Sequence, residues 1–123
     1  IENGEETLIW GDYPDISALD AGYIAASALA KSGKNTGGLF CLNDMMALGA
    51  IKALRDCKIK VGKEVFVVGF DNVLLGQYSV PALSTVDSFI DREAKQYVDY
   101  IIGKPSEQKE IISEFVPRDS AKA

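Results

Sequence analysis

Polar side chains stand at the ends of two apolar runs, and their types suit hydrogen bonding to a small ligand. Asn43-Asp44 ends the run of residues 39–42, and Asp71-Asn72 ends the run of residues 65–70. An ionised carboxylate accepts hydrogen bonds from hydroxyl groups, whereas an amide both donates and accepts them. The two polar pairs therefore indicate a candidate binding site.

The residues between these pairs predict a βαβ unit. Residues 39–42 form a short strand, and residues 45–56 carry Leu48, Ile51 and Leu54 at the spacing of an amphipathic helix. Residues 65–70 are continuously apolar, as in a parallel strand that is covered on both faces. Because ligands of open parallel sheets bind beyond the carboxyl ends of the strands, we expect both polar pairs at one edge of the sheet.

The rest of the chain extends this pattern. We expect a strand at residues 6–10 followed by a polar turn, and then a helix at residues 17–31 that packs on the sheet and is capped by Asp15 or Ser17. A turn into a short strand at residues 81–86, a helix from about residue 90 to 101 capped by Asp87 or Ser88, and a strand at residues 111–116 complete the chain. The fold class is α/β, with a doubly wound, mostly parallel sheet and helices on both faces.

Composition excludes several classes of function. The 123 residues carry a net charge of −5 without a basic run, which argues against contact of this segment with DNA. There is no histidine for a Ser-His or Cys-His pair or for a histidine metal site, so we expect no enzyme, no metal and no cofactor. No run is long enough to span a membrane, and Cys41 and Cys57 are expected to be reduced structural thiols.

Four ordered motifs resemble the effector-binding domain of LacI/GalR transcriptional regulators. They are the segments Asn43-Asp44-Met45-Met46-Ala47-Leu48-Gly49-Ala50, Val68-Gly69-Phe70-Asp71, Pro81-Ala82-Leu83-Ser84-Thr85-Val86 and Pro117-Arg118-Asp119-Ser120. The resemblance implies a periplasmic-binding-protein-like fold of two subdomains with a small effector, usually a sugar or a nucleobase, between them. Residues 1–123 would be most of the C-terminal subdomain, without the N-terminal subdomain and the DNA-binding head.

The resemblance also implies roles for particular residues. Tyr13, which follows Gly11-Asp12, matches an aromatic residue that packs on the effector, and Asn43 and Asp71 match residues that hydrogen-bond it. A two-fold dimer contact is implied at Leu48, Leu74 and Tyr78, with Ala47 and Leu75 adding to the same apolar patch. DNA would be bound only through a domain outside this chain, and the protein would be a cytoplasmic homodimer.

Each assignment has an alternative. Asn43 or Asp44 could serve only as the N-cap of the following helix, a role favoured for Asp44, and Asp71 could be only a turn former. Leu74 and Tyr78 could pack under their own loop. An exported sugar-binding protein of a transporter would share the fold, although the segments at residues 81–86 and 118–120 resemble the regulators more.

Overall fold

A computed structural model describes residues 15–33, 35–104 and 110–122, which form four helices, four strands and a final 3-10 turn. The strand predicted at residues 6–10 lies outside the described residues. In chain order the elements are α1 (Ala18–Lys31), β1 (Gly37–Phe40), α2 (Asp44–Asp56), β2 (Val65–Phe70), α3 (Leu74–Tyr78), β3 (Ser84–Asp87), α4 (Ile90–Ile101), β4 (Glu114–Val116) and the 3-10 turn Asp119–Ala121.

The strands form one mostly parallel sheet in the order β1-β2-β3-β4. β1 pairs with β2 and β2 with β3 in parallel, whereas β4 runs antiparallel to β3. The predicted βαβ unit is confirmed as β1-α2-β2, and the α/β class with a mostly parallel sheet is confirmed. Because the parallel strands end at the same edge, the loops after β1, β2 and β3 are neighbours.

Among the described residues, helix packing covers only one face of β2. Val65 and Val67 are buried against α2, together with Leu54 and Leu83 of the same core. On the opposite face, Phe66 keeps 38% of its surface exposed. That β2 is covered on both faces stays a prediction, because an apolar run does not reveal which elements form the second layer.

Helix α1 packs against α2 through two facing glycines. A Cβ atom on Gly22 would come within 2.0 Å of the carbonyl oxygen of Met46, and one on Gly49 within 1.9 Å of that of Leu19. Both distances are far below a van der Waals contact, so the helices approach closely only because these side chains are absent. The small residues of α1 thus serve helix-to-helix packing, whereas the sequence predicted packing on the sheet.

We expect Gly49→Ala to destabilise the chain by about 1–3 kcal/mol, the usual cost of overpacking. The direction of the stability change is informative, because a Gly→Ala substitution in an exposed helix would stabilise that helix by about 1 kcal/mol. Urea denaturation followed by circular dichroism measures the difference. The matched control is Gly38→Ala in β1, where an added Cβ meets nothing within 4 Å. An unchanged midpoint for Gly49→Ala would contradict the close approach of α1 and α2.

The helix ends agree with the sequence at α1 and differ at α4. Ser17 caps α1, as predicted, by accepting a hydrogen bond from the backbone N–H of Asp20. The N-cap of α4 is Phe89, with a left-handed backbone (φ 53°) and no side-chain cap bond. Asp87 instead accepts a hydrogen bond at 2.7 Å from the N–H of Phe89, the residue directly before the first residue of the helix.

Helix α4 has an apolar face that no described element covers. None of its residues is buried, and its exposed large hydrophobic residues are Ile90, Tyr97, Val98, Tyr100 and Ile101. An amphipathic helix gains most of its stability from burying such a face. Among the described residues α4 packs closely on no other element, so the cover of both sheet faces by helices stays a prediction.

Candidate functional site

The carboxyl edge of the sheet brings together Asn43 and Asp71, two of the three predicted effector residues. Phe40 of β1 pairs with Val68 of β2, and the Cys41 N–H continues the ladder by donating to the Val68 carbonyl at 2.8 Å. Asn43 and Asp71 follow these neighbouring parallel strands at the same end. Tyr13, the third predicted residue, lies outside the described residues.

Asn43 is the N-cap of α2. Its Oδ1 accepts a hydrogen bond from the backbone N–H of Met46 at 2.8 Å. The side chain is half-buried, and its Nδ2 has no partner among the residues that the structure describes. Capping uses only the amide oxygen, so the capping and binding roles of Asn43 are compatible.

Asp71 presents an exposed carboxylate on a strained turn. Its backbone has φ 109°, a region that side-chain-bearing residues rarely adopt, and its N–H donates to the Val86 carbonyl at 2.9 Å. Desolvation, followed by the negative charge of Asp44, raises the pKa of the Asp71 carboxyl. No described side chain donates to this carboxylate, which is thus available to accept hydrogen bonds from a ligand.

Asp44 has a different place from the one predicted. It is fully buried, and it accepts hydrogen bonds from the Val73 N–H at 2.8 Å and from the Thr85 hydroxyl at 2.5 Å. The sequence offered Asn43 or Asp44 as the N-cap of α2, and Asn43 fills that position, so the capping role that was favoured for Asp44 over ligand binding is wrong. Asp44 instead joins α2 to β3 and to the turn after β2, directly behind Asp71.

Asn72, the second residue of the predicted polar pair Asp71-Asn72, is the most connected residue of this turn. Its Oδ1 accepts from the Nη2 of Arg118 at 2.7 Å, and its Nδ2 donates to Asp87 at 2.9 Å. Its backbone N–H donates to the Thr85 hydroxyl oxygen at 3.3 Å. The sequence held one clue to this contact. Arg118 in the Arg118-Asp119-Ser120 motif can only donate hydrogen bonds, and Asn72 supplies an acceptor for it.

Cys41 lies directly beyond β1 and is not a reactive thiol. Burial, followed by the negative charge of Asp44, raises its pKa to about 12. A thiol with so high a pKa stays protonated near neutral pH and is a poor nucleophile. Both cysteines are free in the structure, Cys41 buried as expected for a structural thiol and Cys57 exposed at the end of α2.

The residues predicted for a dimer contact lie on α2 and α3. Leu74 is 67% and Tyr78 75% exposed, which excludes the alternative that they pack under their own loop. Leu48 is half-buried and packs against the core, while Ala47 is fully buried and cannot be a contact residue, contrary to prediction. A groove of about 470 Å³ adjoins Leu48, and its lining also includes Arg55 and Val80.

Two kinds of feature are not found in the described part of the chain. No group of three or more His, Cys, Asp or Glu residues there could hold a metal ion. Among the described helices, none has the length and apolar character needed to cross a membrane.

Comparison with known proteins identifies the family. The sequence pattern of the periplasmic binding protein-like domain matches residues 10–121. The chain therefore belongs to the family of periplasmic binding protein-like domains.

Individual relatives are named as transcriptional regulators. The HTH-type transcriptional regulator MalR of Clostridium butyricum is 34% identical over 125 residues, covering 98% of this chain and 36% of the regulator. The crystal structure of a LacI-type transcription regulator from Bifidobacterium animalis subsp. lactis has a TM-score of 0.74 and 33% identity, covering 85% of this chain and 40% of the other. The crystal structure of a LacI family transcriptional regulator from Arthrobacter sp. FB24, in complex with lactose, has a TM-score of 0.69 and 29% identity. The match covers 85% of this chain and 42% of that regulator.

These matches confirm the resemblance to LacI-type regulators. The relatives are named transcriptional regulators rather than enzymes or transport proteins, which favours the regulator over the transporter alternative. The chain spans about a third of the length of the curated relatives it matches.

Proposed function

We propose that this chain is the C-terminal subdomain of the effector-binding domain of a LacI-type transcriptional regulator. The observation that carries the proposal is the arrangement of Asn43 and Asp71 after neighbouring parallel strands, with the Asp71 carboxylate exposed and without a described partner. Ligands of open α/β sheets bind at this edge. Asn43 supplies a donor held by its capping bond, and Asp71 supplies an acceptor held by a rigid turn.

The effector class that suits these groups is a neutral sugar. A carboxylate accepts hydrogen bonds from two adjacent hydroxyl groups. An amide can either donate a hydrogen bond to a further hydroxyl group or accept one from it. The lactose complex of the Arthrobacter relative supports this class. Tyr13 would add the aromatic face that covers the C–H side of a sugar ring.

A second subdomain would complete the cleft. The exposed apolar face of α4 and the uncovered side of β2 at Phe66 both call for another packed layer. We therefore assign residues 1–123 to part of a larger effector-binding domain. The intact protein would be cytoplasmic and would reach DNA through a separate head, because this segment carries a net charge of −5 and offers little counterion release.

The experiment is a binding screen on the full-length protein that contains this chain. A panel of neutral mono- and disaccharides that includes lactose is tested by thermal shift, and hits are measured by calorimetry. A ligand that binds the native state raises the melting temperature in proportion to the logarithm of its concentration. Binding of at least one sugar supports the proposal, and a protein that no panel member stabilises would contradict the sugar assignment.

The exposed patch on α3 is proposed as a homodimer contact. Leu74 and Tyr78 are exposed to solvent. A groove lined by Leu48, Arg55 and Val80, which follows Tyr78 by two residues, offers a depression for side chains of a second copy. Arg55 donates to the Val80 carbonyl at 2.7 Å, which fixes the groove wall. A two-fold interface pairs one such patch with its own copy.

Tyr78→Asp is expected to dissociate the full-length dimer, because it places a charge where an aromatic ring would be buried. We expect the dissociation constant, measured by sedimentation equilibrium, to rise by roughly 30-fold or more, corresponding to the ≥ 2 kcal/mol of an interface hot spot. The matched control is Ile24→Asp, which adds the same charge at an exposed apolar residue of α1. A Tyr78→Asp protein that dimerises like the parent would remove α3 from the interface.

A further inference from the structure

The turn that carries Asp71 has an unusual backbone over two consecutive residues. Asp71 has φ 109° and Asn72 has φ 53°, and neither is a glycine. Asparagine and aspartate tolerate positive φ better than other side chains, but the conformation persists only when the surroundings hold it. Contacts with the rest of the fold must therefore hold this turn.

The side-chain amide of Asn72 is fixed between a cation and an anion. Arg118 can only donate hydrogen bonds, so the amide oxygen faces its Nη2 at 2.7 Å. The amide nitrogen then faces Asp87, which accepts its hydrogen bond at 2.9 Å. The orientation of the amide is therefore determined by its two charged neighbours.

Both neighbours belong to the antiparallel pair β3–β4. Asp87 ends β3 and pairs with Glu114 of β4, and Arg118 follows β4 shortly afterwards. Arg118 is itself held at the start of β3, since its Nη1 donates to the Leu83 carbonyl at 2.7 Å and its N–H donates to the Ser84 hydroxyl oxygen at 2.8 Å. Asn72 thus ties the turn to two strands that are already joined.

We propose that Asn72 is the positioning residue of the effector site, which holds the Asp71 carboxylate in place by bonding to Asp87 and Arg118. This inference rests on the function proposed above. Asn72 itself does not contact the effector; it fixes the backbone of the neighbouring residue. The same bonds connect the turn to Asp87, whose other oxygen accepts the Phe89 N–H at the entry to α4.

The test uses three variants of the full-length protein: Asn72→Asp, the double variant Asn72→Asp with Asp87→Asn, and Asn72→Gly. Asn72→Asp removes the donor to Asp87 and sets two carboxylates against each other, while keeping an acceptor for Arg118. Adding Asp87→Asn restores the hydrogen bond in the reverse direction, and the amide oxygen at position 87 still accepts the Phe89 N–H. Asn72→Gly tolerates positive φ without strain but lacks both tethers.

Two readouts separate this inference from the proposed function. Hydrogen exchange of the Val73 amide, measured without sugar, reports the turn itself, with the Met46 amide as an internal reference on α2. Calorimetry with the panel sugar that the parent binds most tightly reports its effect on the site. Failure of the parent to bind any sugar contradicts the proposed function, while the exchange measurement still tests Asn72.

We expect Asn72→Asp and Asn72→Gly to accelerate exchange at Val73 and to weaken sugar binding by about 2- to 30-fold. The double variant is expected to return both quantities toward those of the parent. Exchange at Val73 that is unchanged in Asn72→Gly, or a double variant no better than Asn72→Asp, would overturn the proposal.

Discussion

Replacing Asp71 with alanine is expected to weaken sugar binding by the full-length protein roughly 10- to 100-fold, or about 1.5–3 kcal/mol, the range for hydrogen bonds to a charged group. The carboxylate is exposed at the carboxyl edge of the sheet and is free to accept hydroxyl hydrogen bonds. Calorimetry with the sugar that binds best gives the change in affinity directly.

Two further variants separate the carboxylate from the backbone that carries it. Alanine is strained at φ 109°, whereas Asp71→Gly removes the carboxylate without that strain. Asp71→Gly should therefore lose about as much affinity as Asp71→Ala, and the exposed Asp91→Ala on α4 serves as the surface control. Sugar affinity that survives in Asp71→Gly would remove Asp71 from the binding site.

Replacing Asp44 with alanine is expected to lower the free energy of unfolding by about 2–5 kcal/mol. The fully buried Thr85 hydroxyl and the half-buried Val73 N–H both lose their acceptor. Each unsatisfied buried group costs about 1–3 kcal/mol, and the vacated volume adds to the loss. Urea denaturation of the full-length protein and of its variant measures the difference.

An isosteric change provides the control for Asp44. Asp44→Asn keeps the size of the side chain and one acceptor oxygen, so it should cost less than Asp44→Ala. Its new donor group would face either the Val73 N–H or the Thr85 hydroxyl, and only the hydroxyl can rotate to accept it. Equal stabilities of Asp44→Ala and the parent would show that the buried carboxylate does not hold the turn.

Local patterns in the sequence were sufficient to predict the central βαβ unit and its polar edge. Helix α2 follows from its apolar spacing, and β2 was predicted with the bounds that the structure shows, Val65–Phe70. The parallel arrangement follows from the helix between the strands, since parallel strands need a long crossover. The placement of Asn43 and Asp71 at one edge was therefore predictable from sequence.

The features that could not be predicted depend on contacts between distant residues. Asn43 and Asp44 are both good capping residues, and Thr85 and Val73 determine which of them turns into the core. The tether from Asn72 to Arg118 is equally invisible to local patterns. The short helix α3 was missed because residues 73–80 contain Gly76 and no clear periodicity.

The most direct test of the proposed function is a crystal structure of the full-length protein with the sugar that binds best. We expect the sugar beyond the carboxyl ends of β1 and β2, with one hydroxyl within hydrogen-bond distance, about 2.5–2.9 Å, of the Asp71 carboxylate and another near the Asn43 amide. A sugar bound away from this edge, with Asp71 facing only solvent, would contradict the assignment of the site.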